Sequence, residues 1–375
     1  MNELSESQGP RIFRLGELFS GPGGIAQGAV EASRMFSDLS IKHEWATDYD
    51  ADTCATYRKN HGGSSANVIW KDVRKLDTTS LSAIDGLAFG FPCNDFSAVG
   101  ERLGIDGSYG PLYQYGINVL KSHSPDWFVA ENVSGIQSSN DGAAFSMILE
   151  KMSAAGYDVV PHLYKFEQYG VPQARHRVII VGVRNDLSYR FRVPSPAPYA
   201  DIDVSSRNAL ENPPIPAWAG NHEFTKQSDV VRRRLSHILP GKNAFNSEMP
   251  EDLKLNISGA TLSHIYKRLD PSKPSYTVTG SGGGGTHVYH WSEDRALTNR
   301  ERARLQTFPD DYIFVGNKES VRKQIGMAVP VRGARIIFAA LLSCIAGIEY
   351  ESVEANLSDK LPLMPVTKEA EEIVA

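Results

Sequence analysis

The chain has 375 residues, of which 41% are hydrophobic and 22% charged, with a formal net charge of −5. These are ordinary globular values, and the length allows one large domain and a smaller second one. The three widely spaced cysteines argue against a disulfide framework. No apolar run approaches the roughly 20 residues of a membrane span, and the first ten residues lack a signal peptide's apolar core. We therefore expect a cytoplasmic protein without a membrane partner.

Strand and helix patterns alternate along the first half of the chain. Strands are predicted at 12–19, 43–47, 68–69, 87–89, 126–130 and 178–183, and helices at 25–35, 51–60 and 145–155. This alternation is typical of α/β proteins in which helices connect neighbouring parallel strands. We therefore predict an α/β fold with a doubly wound, mostly parallel sheet.

The composition changes near Asn185. Residues 194–216 are rich in proline, and the stretch that follows to Gly285 has few clean periodic patterns. We predict a first domain at 1–185 and a second, smaller domain at 186–285. Helical patterns return at 298–307 and in the apolar segment 334–348, so residues 286–375 are predicted to pack back on the first domain.

A glycine-rich turn follows the first predicted strand and precedes a helix. The segment Gly21-Pro22-Gly23-Gly24-Ile25-Ala26 fits the pattern G-x-G-x-x-A, which permits a tight turn and close approach of a ligand. Acidic residues at the next two strand ends, Asp48 and Asp72, suit an adenosine-containing cofactor, and Tyr49 could stack on its adenine. A structural turn with helix-capping aspartates is the alternative. The residues alone do not separate a nicotinamide dinucleotide from S-adenosylmethionine, although Pro22 removes one amide donor from a phosphate cradle.

The segment 90–97 carries the strongest chemical signal. Gly90 and Pro92 end a buried strand, so Cys93 is predicted on a loop at the carboxyl end of that strand, where its thiolate can act as a nucleophile. A small buried hydrophobic residue is the alternative. Glu131 ends the next strand and can hydrogen-bond a ring nitrogen while charge develops, or it can form a surface ion pair.

Two arginines precede the last predicted strand. If the backbone at Arg177 is extended, the side chain of Arg175 points in the same direction and that of His176 points the opposite way. Two guanidinium groups on one face can hold a carboxylate, a phosphate or a carbonyl oxygen. A solvated basic strand edge is the alternative.

Together, these segments resemble the C5-cytosine DNA methyltransferases of bacteria and phages, over about residues 14–345. The motifs occur in the order found in the family, at 17–24, 90–97, 131–133, 169–177, 268–277, 300–309 and 324–330. The resemblance implies a Rossmann-like methyltransferase domain, a target-recognition domain at 186–285 and S-adenosylmethionine as methyl donor. Glu17 stands where the family usually has Asp, Asn94-Asp95 replaces the more usual Gln, and Met327 stands where Asn is commonest, so the donor contacts at Met327 are expected to differ.

The resemblance also assigns roles to individual residues. It implies that Cys93 adds to C6 of cytosine, Glu131 bonds the N3 region, Arg177 binds the O2 side and Arg175 supports the site. The positions that match the family's donor site are Phe19, Gly21, Gly23, Gly24, Asp48, Tyr49, Asp72, Val73, Pro92, Leu112, Met327 and Ala328. No metal site is predicted.

The implied partner is double-stranded DNA, from which the target base must be flipped out. Candidate DNA-contacting residues are Arg232, Arg233, Arg234, Thr277, Gly282 and Gly283, and solvated surface charge is the alternative for each arginine. We expect the protein to be a monomer. Its expected location is the bacterial cytoplasm or nucleoid, and its gene could also be carried by a phage. A restriction endonuclease is the expected functional partner. An RNA cytosine methyltransferase and a catalytically silent DNA-binding protein remain alternatives at this point.

Overall fold

The computed structural model of the protein describes residues 10–62, 67–91, 112–255, 264–280 and 284–357. The strands are β1 (Arg11–Leu18), β2 (Leu39–Asp48), β3 (Val68–Trp70), β4 (Gly86–Gly90), β5 (Trp127–Val133), β6 (Tyr157–Lys165), β7 (Gln173–Ala174), β8 (His176–Arg184), β9 (Val193–Pro194), β10 (Ser275–Tyr276) and β11 (Ser352–Val353). The helices are α1 (Gly24–Ser33), α2 (Ala51–His61), α3 (Tyr113–His123), α4 (Ala143–Ala154), α5 (Ser206–Glu211), α6 (Asp229–Ser236), α7 (Asn299–Leu305), α8 (Lys318–Met327) and α9 (Val331–Ala346).

Seven strands form one sheet in the order β3-β2-β1-β4-β5-β8-β6. The strands from β3 to β5 run parallel to their neighbours, whereas β8 is antiparallel to both β5 and β6. The predicted α/β fold with a mostly parallel sheet is confirmed. The strand predicted at 178–183 departs from the parallel pattern, because the short connection 166–175 after β6 has no room for a crossover helix.

Strand β6 was not predicted from the sequence. It contains Pro161, which has no amide proton to donate to a neighbouring strand. Such a strand is tolerated at an edge, where one row of backbone groups has no partner strand. The structure places β6 at the edge of the sheet, beside β8.

The sheet is covered on both faces, as a doubly wound fold requires. Consecutive residues of β5 point to opposite sides: Trp127 joins a core cluster with Phe13 and Phe338, and Phe128 joins a second cluster with Ile148. Burial on both faces explains the nearly continuous apolar sequences of the central strands.

The long helix α9 packs against α1. The prediction that residues 286–375 form part of the first domain stays a prediction. Residues 318–346 are long and apolar enough to cross a membrane, but 67% of the most apolar stretch is buried inside the protein. Residues 328–330 also separate α8 from α9. The segment therefore has the character of a core helix of the sheet domain.

Gly28 lies in the contact between α1 and α9. A Cβ atom there would lie 2.5 Å from the Ala334 Cβ, 2.7 Å from the Arg335 amide nitrogen and 2.8 Å from the Val331 carbonyl oxygen. We expect Gly28→Ala to lower the free energy of unfolding by about 1–3 kcal/mol, because two of these three contacts are with backbone atoms that cannot rotate away. Denaturant titration measures this loss. Gly220→Ala is the control, because a Cβ there meets no atom within 4 Å; equal stability losses in the two variants would contradict the packing argument.

Two smaller apolar clusters occupy the region after β8. One contains Leu210, Leu269 and Trp291, and the other contains Leu235 and Tyr289. Both clusters join residues on either side of Gly285, so the packing of this region continues past the predicted boundary. The division at 186–285 remains a prediction about domain organisation.

Candidate functional site

A cavity of about 510 Å³ opens at the carboxyl ends of β1, β2, β4 and β5. Ten predicted cofactor positions line it: Phe19, Gly21, Gly24, Asp48, Tyr49, Asp72, Val73, Leu112, Met327 and Ala328. Glu131, Arg175 and Arg177 line the same cavity. The structure thus brings the predicted cofactor site and three of the four predicted catalytic residues together, at the edge of the sheet where ligands of open α/β folds bind.

The glycine turn between β1 and α1 has the positive φ angles that glycine tolerates. The φ angles are +57° at Gly21 and +97° at Gly23, and Phe19 also has a positive φ of +54°. Gly23 does not line the cavity. Its α-carbon faces His61 and Tyr312 instead, since a Cβ there would lie 2.7 Å from His61 Nε2 and 2.7 Å from the Tyr312 hydroxyl. Its contribution is to the shape of the turn.

Asp48 joins the end of β2 to the glycine turn. Its carboxylate accepts hydrogen bonds from the amides of Gly21 and Asp50, each at 3.0 Å. Burial nevertheless raises the pKa of Asp48 to about 6, against the opposing effect of these amide donors. These two hydrogen bonds fix the position of the carboxylate on the cavity wall, where it can accept hydrogen bonds from hydroxyl groups of a ligand.

Tyr49 and Asp72, the other two predicted adenosine contacts, differ in exposure and in their intramolecular partners. Tyr49 is 58% exposed at the rim of the cavity, and Lys323 Nζ donates to its hydroxyl at 3.1 Å. Asp72 pairs with Arg74 at 2.6 Å, and the hydrogen bonds from Arg74 lower the pKa of this carboxyl. The Tyr49 ring is exposed, with Lys323 Nζ 5.4 Å from its centroid, whereas the Asp72 carboxylate already has a strong partner.

Glu131 and Arg177 form an ion pair at the cavity wall. The distance from Arg177 Nε to Glu131 Oε1 is 2.9 Å, and each side chain is 13% exposed. In the sheet register Gly90 lies opposite Glu131, and the Asn132 side chain donates to the Phe91 carbonyl at 3.2 Å. Gly90 and Phe91 therefore lie beside Glu131 and Asn132. Pro92 and Cys93 themselves lie outside the described residues.

Arg175 is buried more deeply than Arg177, with 1% of its surface exposed. It donates to the carbonyl oxygens of Val278 at 3.1 Å and Gly326 at 3.0 Å. Burial and the nearby charge of Arg177 lower the pKa of Arg175. His176 points away and pairs with Glu167 at 2.7 Å, as the predicted alternation requires. Arg175 therefore connects the cavity wall to two segments that come later in the chain.

Sequence reasoning missed a polar network beneath the glycine turn. The Tyr312 hydroxyl donates to the Pro22 carbonyl at 2.6 Å, and His61 Nε2 lies 3.0 Å from the same hydroxyl. Burial lowers the pKa of His61 to about 3, so its ring stays neutral. Nearby, the Tyr57 hydroxyl donates to the buried Glu17. No local motif could reveal this network, because its members are far apart in the sequence.

The predicted DNA contacts lie on several elements. In α6, Arg233 pairs with Asp252 at 2.7 Å and Arg234 donates to the Leu253 carbonyl at 2.8 Å, while Arg232 is exposed, 3.9 Å from Asp229. The Thr277 hydroxyl donates to the Ala174 carbonyl at 2.8 Å. Gly282 and Gly283 lie outside the described residues. Arg232 is thus the α6 arginine with the weakest intramolecular contact.

The chain is similar to known proteins over most of its length. The family model "C-5 cytosine-specific DNA methylase" matches residues 13–343. The chain is 52% identical to the Type II methyltransferase M.BbvI of Brevibacillus brevis, over 96% of this chain and 100% of that protein. It is 38% identical to the Type II methyltransferase M.NgoFVII of Neisseria gonorrhoeae, over 95% of this chain and 92% of that protein.

Solved structures share the fold at lower identity. A crystal structure described as a DNA modification methyltransferase encoded within an E. coli prophage has a TM-score of 0.68 and 23% identity, over 89% of this chain and 99% of that one. A DNMT2 mutant of Spodoptera frugiperda has a TM-score of 0.61 and 16% identity, over 88% of this chain and 99% of that one. At these identities the similarity concerns the fold alone.

Proposed function

Since the chain belongs to the C5-cytosine-specific DNA methylases, we propose that it methylates a flipped-out cytosine within one specific sequence of double-stranded DNA. The protein is a DNA (cytosine-5-)-methyltransferase of the Type II restriction-modification kind, and S-adenosylmethionine is its methyl donor. The observation that carries the finer proposal is the Glu131–Arg177 pair in the same cavity as the glycine turn and Asp48. This arrangement supports methyl transfer to a base held beside the donor.

The cavity residues fit the donor. Asp48 offers a carboxylate to ribose hydroxyls, the turn at Gly21 leaves the backbone open to close approach, and the apolar side chains of Phe19, Ile25 and Val73 offer surface to an adenine ring. Tyr49 supplies an aromatic face at the rim. When bound, S-adenosylmethionine supplies an electrophilic methyl group.

The proposed chemistry begins with Cys93. Its thiolate forms a bond to C6 of cytosine, and the electron pair of the C5–C6 double bond is displaced toward C5 and N3. A proton shared between the Glu131 carboxyl group and N3 offsets the negative charge that develops there, and C5 becomes nucleophilic. C5 would then form a bond to the methyl carbon of the donor, and the methyl–sulfur bond would break with its electron pair left on the sulfur as a neutral thioether. Loss of the C5 proton to a base and cleavage of the C6–sulfur bond restore the aromatic ring and the thiolate. Arg177 holds both the O2 side of the base and the carboxylate of Glu131.

The target carbon cannot be reached inside a stacked duplex, so the base leaves the stack at a cost of a few kcal/mol. Phosphate contacts supply salt-dependent affinity, and contacts from the region 186–285 choose the sequence. We propose that the enzyme acts as a monomer in the bacterial cytoplasm or nucleoid, beside a restriction endonuclease that cuts the same sequence. The relatives named as Type II methyltransferases support this setting.

Bisulfite sequencing tests the proposal. Plasmid DNA from cells expressing the protein is expected to show 5-methylcytosine at one sequence, and Cys93→Ala is expected to abolish it because no covalent activation of C6 remains. Cys344→Ala is the matched control, since Cys344 lies in α9 beside the Tyr350 hydroxyl and does not line the cavity. Methylation by Cys93→Ala would exclude the proposed nucleophile. Absence of DNA methylation by the wild type, with methylation of RNA, would favour the RNA alternative.

A further inference from the structure

Arg302 differs from the other arginines of α7 in having no strong partner. It is 1% exposed. One terminal guanidinium nitrogen of Arg302 lies 3.4 Å from His287 Nδ1, which is long for a hydrogen bond. By contrast, Arg300 donates to three carbonyl oxygens and Arg304 pairs with Asp310. Among the described residues no carboxylate forms an ion pair with Arg302. Burying a guanidinium group without an ion-pair partner lowers the stability of the folded protein, and an anion bound beside Arg302 would offset this cost.

Other cationic groups converge on the same point. Arg302 and Arg322 line a small cavity between α7 and α8, and Lys318 lies on its wall. Arg322 has a buried Nε without a partner, and its nearest carboxylate is that of the exposed Glu319, at 3.8 Å. Glu223 is the single carboxylate in the lining, and it is exposed. Burial and the two arginines lower the pKa of His287 to about 4, so its ring is neutral at pH 7.

The size of this cavity limits what it can bind. Its volume is about 10 Å³, which is room for one oxygen-sized group. A whole nucleotide does not fit. An oxyanion presented from outside, with the rest of its molecule in solvent, can place one oxygen between the two guanidinium groups. Arginine is well suited to such an oxygen because its donors form a rigid planar fork.

The cavity is also close to the proposed reaction site. Arg322 and Gly326 are one turn apart in α8, about 6 Å along the helix axis. Gly326 lines the large cavity, and a Cβ there would collide with the backbone of Gly280, next to the predicted DNA-contacting segment. About 6 Å is roughly the rise of two base pairs along the axis of a DNA duplex. A DNA substrate bound at the large cavity is therefore close to the small cavity.

We propose that Arg302 and Arg322 form a receptor for one backbone phosphate of the DNA substrate. This inference rests on the proposed function. The phosphodiester completes the missing counter-charge, so the pocket is electrostatically unfavourable in the free protein and favourable in the complex. Arg302 thereby exchanges stability of the free enzyme for affinity toward DNA.

The test compares Arg302→Met with Arg304→Met, a change of the same type two residues away. For Arg302→Met we expect a higher Tm without DNA, because an uncompensated buried charge is removed. We also expect DNA affinity about tenfold weaker at 0.15 M salt, a logarithmic salt slope reduced by about one, and unchanged donor affinity. Arg304→Met is expected to lower Tm, because it leaves Asp310 unpaired, and to keep the salt slope.

Three outcomes would overturn the assignment. A lower Tm for Arg302→Met would make Arg302 a structural residue, and an unchanged salt slope would remove the phosphate contact. Stabilisation of the wild type by inorganic phosphate, without any change in the DNA slope of the variant, would mean an adventitious ion only. If the wild type binds and methylates DNA while the variant keeps its slope, the phosphate receptor alone fails. If the wild type does not bind DNA, the proposed function fails with it.

Discussion

Replacing Glu131 with Gln is expected to lower kcat about 10²–10⁴-fold, the usual contribution of one positioned acid–base group. Glutamine keeps the size of the side chain but carries no negative charge and no exchangeable carboxyl proton. In the structure Glu131 Oε1 lies 2.9 Å from Arg177 Nε at the wall of the large cavity. Because the lost interaction is made to the reacting base, DNA and donor affinities are expected to stay within a few-fold of the wild type. Single-turnover methylation with saturating DNA measures the chemical step directly.

Glu167→Gln provides the matched control. Glu167 pairs with His176 at 2.7 Å, in the same strand-end region but on the side of the backbone away from the cavity. The same chemical change there is expected to alter kcat less than twofold. A loss of less than tenfold in Glu131→Gln, or equal losses in the two variants, would remove the catalytic role proposed for Glu131. Thermal melts of both variants check that the rates refer to folded protein.

The grouping of the site residues could be predicted because parallel strands end at a common edge. Asp48 is the last residue of β2 and Glu131 lies two residues before the end of β5. The sequence alone places both near the carboxyl ends of predicted strands, and the structure brings them to one cavity. The alternation around His176 likewise predicts that Arg175 and Arg177 share a face. These inferences need only strand direction and the two-residue period of a strand.

Other features depend on contacts between distant segments. The burial of Arg175 against the carbonyls of Val278 and Gly326 could not be predicted, because both partners come from far along the chain. The support of the glycine turn by Tyr312 has the same origin. Pro161 concealed an edge strand, since proline is unfavourable in most other strand positions. The role of Cys93 stays a prediction that rests on the sequence.

Donor binding is expected to depend on pH through Asp48. Burial raises the pKa of this carboxyl from 3.8 to about 6 in the free protein, and the ionised form is the better acceptor for two ribose hydroxyls. The donor Kd is therefore expected to be flat above pH 6 and to rise about tenfold per pH unit below it. Binding at pH 6 should release about half a proton, which calorimetry in two buffers of different ionisation enthalpy can measure.

The folded protein holds this proton more tightly than the unfolded chain does. The contribution of Asp48 to the free energy of unfolding of the free protein is therefore largest in acid and decreases as the pH rises from about 4 to about 6. Asp48→Asn is expected to weaken donor binding about 10- to 100-fold at pH 7.5 and to remove the dependence near pH 6. Asp50→Asn is the control, because Asp50 caps α2 through the Thr53 amide and does not line the cavity. A persistent inflection near pH 6 in Asp48→Asn would assign the titration to another group.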